Sequence, residues 1–264
     1  MSLSDRVRPN VECAPWVIEE IQKLESQLAQ RAPILSPILT VDVVLLTLDG
    51  DTLKVALHRR KQAPLQGCLA LPGGYVHVQE DEDMADAAHR ILREKTGFEP
   101  TYLEQLEVFS GPQRDPRGWS ASVAFVALVP IERLREERLI DGRQTFSFHD
   151  VARLPELAFD HADQIQKAVA RVRNKSAYST LPCWLLPERF TLAELQAVYE
   201  KILGVKLSAA TFRARLGVLG ESNNESSKNP QDVLIETPEV RQGQHRPAKL
   251  YRVNHTTLFA KTIF

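Results

Sequence analysis

The sequence contains little cysteine and no long apolar run. Its three cysteines, Cys13, Cys68 and Cys183, lie far apart and show neither Cys-x-x-Cys spacing nor clustered histidine, which predicts buried or idle thiols and no zinc site. The longest apolar stretches, such as VDVVLLTL, are far shorter than the ~20 residues of a membrane span. The first ten residues lack the apolar segment of a secretion signal. We therefore expect a cytoplasmic protein without a membrane partner.

Charge is nearly balanced overall but unevenly distributed. The 264 residues are 43% apolar and 25% charged, which is the balance of a soluble globular protein with one or two cores. Residues 1–186 hold 22 basic and 26 acidic side chains, whereas residues 187–264 hold 11 and 8. The last 25 residues contain no acidic side chain, which favours contact with an anionic surface, although a short basic run is also common on a solvated tail.

Hydrophobic periodicity divides the chain into four parts. Residues 1–37 are expected to form an N-terminal extension with a helix at 16–30. Residues 38–174 combine β-rich runs with helices, and Asp49-Gly50 is a hairpin signal between the first two runs. We predict an α/β (α+β) fold for this part, with α/β/α sandwich layers. Residues 175–190 contain Pro, Ser and Asn without a clear period and are predicted to be a linker.

The fourth part, residues 191–258, has the pattern of a winged helix-turn-helix domain. Thr191 and Glu194 have capping-box spacing at the start of one helix, Gly204 interrupts it, and a second helix is expected at 208–219, followed by two short strands with a basic turn. In this fold the second helix enters the DNA major groove and the wing touches the backbone or the minor groove. The residues expected to contact DNA are Ser208, Thr211, Arg213, Arg215, Arg241, His245, Arg246 and Lys249.

The stretch LALPGGYVHVQEDEDMADAAHRILREKTGF predicts a strand, a Gly-Gly turn, an acidic loop and a helix that ends at Gly97. It resembles the signature of the Nudix family, Gly-x5-Glu-x7-Arg-Glu-U-x-Glu-Glu-x-Gly-U, in which U is a bulky aliphatic residue. Counting back from Gly97 places Arg90 on the Arg, Glu94 on the first paired Glu and Glu82 on the early Glu. Counting forward from the second glycine reaches Glu80, so the loop has gained two residues.

Two residues on this helix depart from the Nudix signature. The resemblance implies that carboxylates of the helix hold magnesium, which neutralises a nucleoside diphosphate and orients the attacking water. Ile91 offers no ligand and Lys95 is a cation, so only Glu94 remains. We therefore expect no catalytic residue, no metal, no cofactor and no hydrolase activity. Ile91 is simply explained as part of the helix's apolar stripe, and Lys95 is a candidate counter-charge for a diphosphate.

Two further segments supply candidate ligand contacts. GPQRDPRGW clusters Arg114 and Arg117 in a loop, and guanidinium groups suit phosphates, although a solvated turn explains the loop equally well. HRRK places Arg59 and Arg60 at successive positions, so one should face the cleft and the other should face away. The predicted ligand-binding residues are Arg59, Arg60, Gly73, Gly74, Glu94, Lys95, Arg114, Asp115 and Arg117.

The combination of these segments resembles the Nudix-related transcriptional regulators of NAD metabolism, the NrtR family. The runs RDPRGW, LPERFTLAELQAVYEKILG and HRPAKLYR carry this resemblance, which covers residues 38–254. It implies a homodimer that binds an inverted-repeat operator in double-stranded DNA and represses genes of NAD biosynthesis or salvage. It also implies that ADP-ribose or a related nucleotide is the effector. The polar insert at 221–232 departs from the expected pattern.

A competing interpretation is an ADP-ribose pyrophosphatase of the Nudix class whose C-terminal domain docks a partner. Asp160 and His161 in LAFDHA invite a catalytic assignment, but we expect Asp160 to cap the following helix and His161 to be structural. Ile91 and Lys95, together with the basic wing, favour the regulator.

Overall fold

The computed structural model describes residues 36–97, 99–137, 146–216, 234–242 and 247–253, together with residues 19, 20, 22, 23, 255, 256, 258, 259 and 263. Met1–Pro37 and Ile38–Phe264 form two separate compact units. Residues 19, 20, 22 and 23 are helical, and the rest of the predicted helix 16–30 lies outside the described residues, as does the insert 221–232. Within the described part of the chain, no helix is both long and apolar enough to cross a membrane.

One mixed sheet forms the body of the second unit. Its described strands are β1 (Ile38–Asp49), β2 (Thr52–Arg59), β3 (Leu69–Ala70), β4 (Gly73–Tyr75), β5 (Tyr102–Gly111), β6 (Ser120–Leu128) and β7 (Ser147–Asp150). Their order is β3-β2-β1-β6-β5, with β4 paired to β1 and β7 paired to β2. β1 runs parallel to β6 and antiparallel to β2. β1 and β2 are joined at Gly50, which has a φ of 61°, so the predicted hairpin is confirmed.

Helices cover both faces of this sheet. They are α1 (Met84–Thr96), α2 (Ile131–Glu137) and α3 (His161–Ser176). On β1, Val41 and Val43 pack with α1 and α2, whereas Val44 and Leu46 pack with α3, because successive strand side chains point to opposite faces. The predicted α/β/α sandwich is therefore confirmed. Helix α2 was not predicted, because seven residues are too few to show a clear helical period.

The segment predicted to be a linker is packed rather than extended. Its first two residues complete α3, and Leu181–Leu185 form a short 3₁₀ helix. Leu181 and Leu185 belong to the core between the sheet and α3, while Cys183 belongs to the core of the following domain. All three side chains are buried, as predicted for Cys183. This segment is therefore the joint between two cores.

Among the described residues, two helices and a two-stranded wing follow the joint. They are α4 (Leu192–Leu203), α5 (Ala209–Arg215), β8 (Ile235–Arg241) and β9 (Ala248–Arg252). The capping box is confirmed, since Thr191 Oγ1 accepts from the Glu194 backbone N–H at 3.2 Å and the Glu194 carboxylate accepts from the Thr191 N–H at 2.8 Å. Gly204 ends α4 with a φ of 70°. Phe212 of α5 then packs edge-on against Tyr199, with 5.3 Å between the ring centroids.

Helix α4 belongs to two hydrophobic cores. Val198 and Ile202 pack in the core between the sheet and α3. Leu195 and Tyr199 pack in the core of the winged helix. The buried Tyr199 hydroxyl donates to the Ser179 carbonyl in the joint at 2.6 Å. The two domains of this unit therefore share a helix.

Residues from the end of the chain return to the joint. The Phe259 N–H donates to the Tyr178 carbonyl, and the Ile263 N–H donates to the Ala177 carbonyl, both at 2.7 Å. Ile263 is 0% exposed and packs in the winged-helix core, whereas Leu258 is 64% exposed. These contacts give the C-terminal segment a structural role that the sequence pattern did not indicate.

Replacing Ile263 with alanine should lower the free energy of unfolding by about 2–5 kcal/mol, because the change removes buried apolar atoms and leaves a cavity. Urea unfolding measures this difference. Leu258→Ala is the control in the same segment and should change stability by about 0.5 kcal/mol or less, since that side chain is exposed. Equal effects of the two substitutions would contradict the packing of Ile263.

Candidate ligand site and nucleic-acid interface

A cavity of about 610 Å³ lies between the sheet, helix α1 and the start of α3. Its volume is in the range of about 300–1,000 Å³ that small-molecule sites occupy. Eight of the nine predicted ligand-binding residues line it, namely Arg60, Gly73, Gly74, Glu94, Lys95, Arg114, Asp115 and Arg117. Residues that line it but were not selected from the sequence include Asp42, His58, Lys61, Tyr75, Phe159 and His161.

The two arginines at the end of β2 lie on different sides. Arg59 does not line the cavity, and its Nη1 donates to the Gly67 carbonyl at 2.9 Å. Arg60 lines the cavity, with its guanidinium 4.7 Å from the centroid of the Phe159 ring and its Nε donating to the Pro64 carbonyl. Burial lowers the pKa of Arg60, because the charged group loses water. Arg60 is therefore the one that faces the cleft.

Gly73 and Gly74 do not form the turn that the sequence predicted. They lie in β4 and pair with Asp42 and Val41 of β1, and neither has a positive φ. The prediction of a turn is wrong because glycine is needed here for space. A Cβ atom on Gly73 would lie 2.0 Å from Asp42 Oδ1, which is far too close. Gly73 therefore allows the backbone of β4 to approach the Asp42 carboxylate.

Arg114 is held in the cavity wall by a carboxylate at the start of α3. Its Nε and Nη2 each donate to Asp160 at 2.9 Å, and its side chain is 8% exposed. Asp160 occupies the N-cap position but makes no side-chain capping hydrogen bond, so the predicted capping role is wrong. Burial opposes the charge of Asp160, but hydrogen bonds from Arg114 and Gln164 keep its pKa below the usual value. The Arg114 charge is therefore largely neutralised within the protein.

Arg117 pairs with Asp115 in the same loop. Its Nη2 and Nε lie 2.6 and 3.0 Å from the Asp115 oxygens, and these hydrogen bonds lower the pKa of Asp115. The Arg117 guanidinium also lies 5.5 Å from the centroid of the Tyr75 ring and donates to the Tyr75 hydroxyl. The charge of Arg117 is thus balanced by a carboxylate within the same loop. The Tyr75 ring, which is half-exposed, lies at the cavity rim.

A buried polar network forms the floor of the cavity. Asp42 Oδ2 accepts from Ser122 Oγ at 2.6 Å and from Gln164 Nε2 at 3.1 Å. His161 Nδ1 accepts from the Leu71 N–H at 3.0 Å, which leaves its proton on Nε2, 3.7 Å from Asp42. Burial lowers the pKa of His161, so the neutral ring is favoured. His161 thus has the structural role expected of it, but it also lines the cavity.

Arg90 orders the acidic loop before α1. Its Nε and Nη2 donate to the two Asp81 carboxylate oxygens at 2.7 and 2.8 Å, and Nη2 also donates to the Tyr75 carbonyl at 2.9 Å. The hydrogen bonds from Arg90 lower the pKa of Asp81 to about 2. The carboxylate that contacts Arg90 most closely is therefore one that neither count along the signature had selected.

The α1 residues at the cavity do not fit a magnesium site. Ile91 is 1% exposed and packs in the core under α1, which confirms its place in the apolar stripe. Lys95 presents a cation, so Glu94 is the one α1 carboxylate that lines the cavity. The other cavity carboxylates, Asp42 and Asp115, already accept hydrogen bonds. Among the described residues, no group of three or more His, Cys, Asp or Glu side chains could hold a metal.

Helix α5 exposes several of the predicted DNA contacts. Those that are exposed are Ser208, Thr211 and Arg213. Phe212 and Leu216 are buried. Arg215, also selected as a DNA contact, is instead half-buried, and its Nε has no hydrogen-bond partner among the described residues. Residues 217–219 of the predicted helix lie outside the described residues.

Arg241 and Lys249 of the wing have acidic partners. Arg241 pairs with Glu194 of the capping box, and Lys249 Nζ lies 2.9 Å from the Glu236 carboxylate. Both partners precede the acid-free end of the chain, so a local count of charges could not find them. Two other predicted DNA contacts, His245 and Arg246, lie outside the described residues.

Known proteins resemble this chain across both domains. A NUDIX domain model matches residues 37–168, and a model of the NrtR DNA-binding winged helix domain matches residues 182–253. The ADPR responsive transcriptional repressor NtrR of Acinetobacter baylyi is 37% identical over 223 residues, which are 84% of each chain. This chain belongs to the NrtR family. The predicted sequence of folds, a Nudix-type sandwich followed by a winged helix, is confirmed.

Similarity to a solved NrtR structure extends over the same range. Shewanella oneidensis NrtR in complex with a 27mer DNA is 34% identical, with a TM-score of 0.73 and coverage of 85% of this chain and 98% of that chain. An ADP-ribose pyrophosphatase of Methanocaldococcus jannaschii is 39% identical over 121 residues, which are 46% of this chain and 68% of that protein. The likeness to NrtR proteins thus includes the winged helix, whereas that to the pyrophosphatase covers less than half of the chain.

The contribution of the Arg90–Asp81 pair to stability should depend on pH in this NrtR-family protein. Because the pKa of Asp81 falls from 3.8 to about 2 on folding, the pair stabilises the fold above pH 3.8, and this contribution is lost as the pH falls toward 2. Urea unfolding of the wild type and Asp81→Asn, from neutral pH down to about 3, should show a stability difference that shrinks in this window. Asp86→Asn, on the first turn of α1, is the control. A difference that does not vary with pH would contradict the pairing.

Proposed function

We propose that this chain is a DNA-binding transcriptional repressor of genes for NAD biosynthesis or salvage. In this proposal the Nudix-type cavity senses ADP-ribose or a related nucleotide diphosphate, and the winged helix binds double-stranded DNA. The observation that carries the proposal is helix α4, which is shared by the cores of the two domains and so ties the cavity-bearing domain to the winged helix. The repressor from A. baylyi, named for its response to ADPR, supports the same ligand class.

The chemistry of the cavity suits a nucleotide diphosphate. Arg60, Lys61 and Lys95 line it and supply positive charge, and its floor carries buried polar groups that can select hydroxyl or base atoms. The half-exposed Tyr75 ring at the rim offers a flat apolar surface. A cavity with cations, buried polar groups and an aromatic rim suits a ligand that is anionic in one part and flat in another.

The exposed face of α5 suits the major groove of DNA. Thr211 and Arg213 are exposed on it, while Phe212 anchors the helix in the core. A guanidinium can donate two hydrogen bonds to a guanine edge, and a threonine methyl can contact thymine. In a homodimer the two α5 helices would lie on one face of the duplex, in half-sites about one or two helical turns apart. We therefore propose an inverted-repeat operator.

We further propose that the protein is not a hydrolase. The core position of Ile91 and the cation at Lys95 leave one carboxylate on the face of α1 where a Nudix enzyme needs several. The second candidate function is an ADP-ribose pyrophosphatase whose C-terminal domain docks a partner. The likeness to the M. jannaschii pyrophosphatase over 46% of the chain favours it. Operator binding and ADP-ribose turnover distinguish the two.

DNA binding should be specific and should respond to ADP-ribose. Fluorescence anisotropy with duplexes from upstream of neighbouring genes of NAD metabolism should show tight binding that ADP-ribose weakens. Arg213→Ala should cost about 1–3 kcal/mol per half-site on the operator and less on a scrambled duplex, because a base contact is lost. Arg173→Ala removes the same charge from the exposed surface of α3 and is the matched control.

Two results would contradict this function. If Arg213→Ala and Arg173→Ala behave alike, α5 does not read bases. If the chain binds none of the duplexes while it turns over ADP-ribose, the pyrophosphatase is the better assignment.

ADP-ribose hydrolysis with magnesium should not exceed that of a Glu94→Gln variant, because a single carboxylate on α1 cannot organise the ion. Product formation followed by chromatography measures this. Turnover in the wild type that Glu94→Gln abolishes would overturn the assignment. The double variant Ile91→Glu, Lys95→Glu should have a lower free energy of unfolding than the wild type. Position 91 is 1% exposed, so a carboxylate placed there loses its hydration.

A further inference from the structure

Lys95 is a half-buried cation that faces the cavity. It lies on the last turn of α1, lines the cavity and forms no ion pair within the described part of the chain. Burial lowers its pKa, and the nearby charge of Glu94 opposes that shift only in part. Holding an ammonium group in this position costs free energy unless an anion approaches it. The position is therefore poised for an anionic ligand.

Lys95 differs in this respect from three arginines of the same cavity. Arg90, Arg114 and Arg117 each pair with an aspartate at 2.9 Å or less. The positive charge of each of these side chains is therefore balanced by a carboxylate of the protein itself. Arg60 resembles Lys95, since burial lowers its pKa and it forms no ion pair among the described residues. Lys61 is exposed on the cavity wall beside Arg60.

The three cations without a described carboxylate partner form one group. The charges of Arg60 and Lys61 both act on Lys95 and lower its pKa, as neighbouring positive charges do. The mutual repulsion of three cations is relieved when a polyanion binds between them. A diphosphate fits this requirement better than a neutral sugar or a single carboxylate, because it carries negative charge on two linked phosphoryl groups.

We propose that Lys95, together with Arg60 and Lys61, supplies the counter-charge for the diphosphate of the effector in place of a divalent cation. This inference rests on the proposed function, in which ADP-ribose is the effector. The failure of the α1 residues to fit a magnesium site supports it, because the cation occupies one of the positions that depart from the Nudix signature. The cavity then binds its effector without magnesium and does not hydrolyse it.

Calorimetry with ADP-ribose tests this, in buffer with EDTA and in buffer with magnesium. The wild type should bind equally well in both. Lys95→Gln should weaken binding by roughly ten- to a hundredfold, since a charge-assisted contact is lost, and Lys95→Arg should retain most of the affinity. Lys95→Glu should bind very weakly in EDTA and recover in part with magnesium, because it adds a carboxylate beside Glu94.

Arg93→Gln is the matched control. It removes one cation from the same helix, but Arg93 is 62% exposed and does not line the cavity. Equal affinities of Lys95→Gln and Arg93→Gln would overturn the inference, as would wild-type binding that requires magnesium. In both cases ADP-ribose still binds, so the proposed function would stand. If the wild type binds ADP-ribose in neither buffer, the proposed function fails with the inference. Thermal unfolding of each variant shows that the fold is retained.

Discussion

The sharing of helix α4 by two hydrophobic cores is the constraint on which the rest of the structure depends. Val198 and Ile202 face the sheet and α3, whereas Leu195 and Tyr199 face the winged helix. Moving one domain against the other would expose apolar surface at a cost of about 25 cal/mol per Å². Helix α3 continues the connection, because its first turn borders the cavity floor and its last turn enters the joint. The cavity and the winged helix are therefore linked by packed helices.

Some cations of the cavity are paired with aspartates of the protein, whereas others have no ion pair among the described residues. Arg114 and Arg90 hold the wall and the acidic loop through aspartates, which fixes the shape of the site before any ligand arrives. Lys95 and Arg60 have no such partner among the described residues, so their charge is available. The Ile91 side chain packs in the core under α1. In the proposed function, this helix therefore binds an anion and does not organise a metal ion.

In the winged helix, too, some cations form ion pairs within the protein whereas Arg213 is exposed on α5. Arg241 braces the wing against Glu194 of the capping box, and Lys249 pairs with Glu236 across the two strands. Arg213 is exposed on α5, one residue beyond Phe212, which fixes the orientation of that helix. In the proposed function, sequence-specific contact with DNA falls mainly to α5, while the paired cations of the wing hold its strands and the capping box in place. A net basic count over the end of the chain does not distinguish these roles.

The sequence by itself determined most of the local elements and, through its motifs, the family. The Asp49-Gly50 hairpin, the capping box at Thr191 and the alternating strands were predictable because each depends on residues close together in the chain. Eight of the nine residues selected from the sequence as ligand contacts also line the cavity. Only the tertiary structure decided that Arg60 faces the cavity, that Asp160 binds Arg114 instead of capping α3, and that Gly73 makes room for the Asp42 carboxylate. Each of these depends on contacts between segments distant in sequence, and local periodicity carries no information about which segments meet.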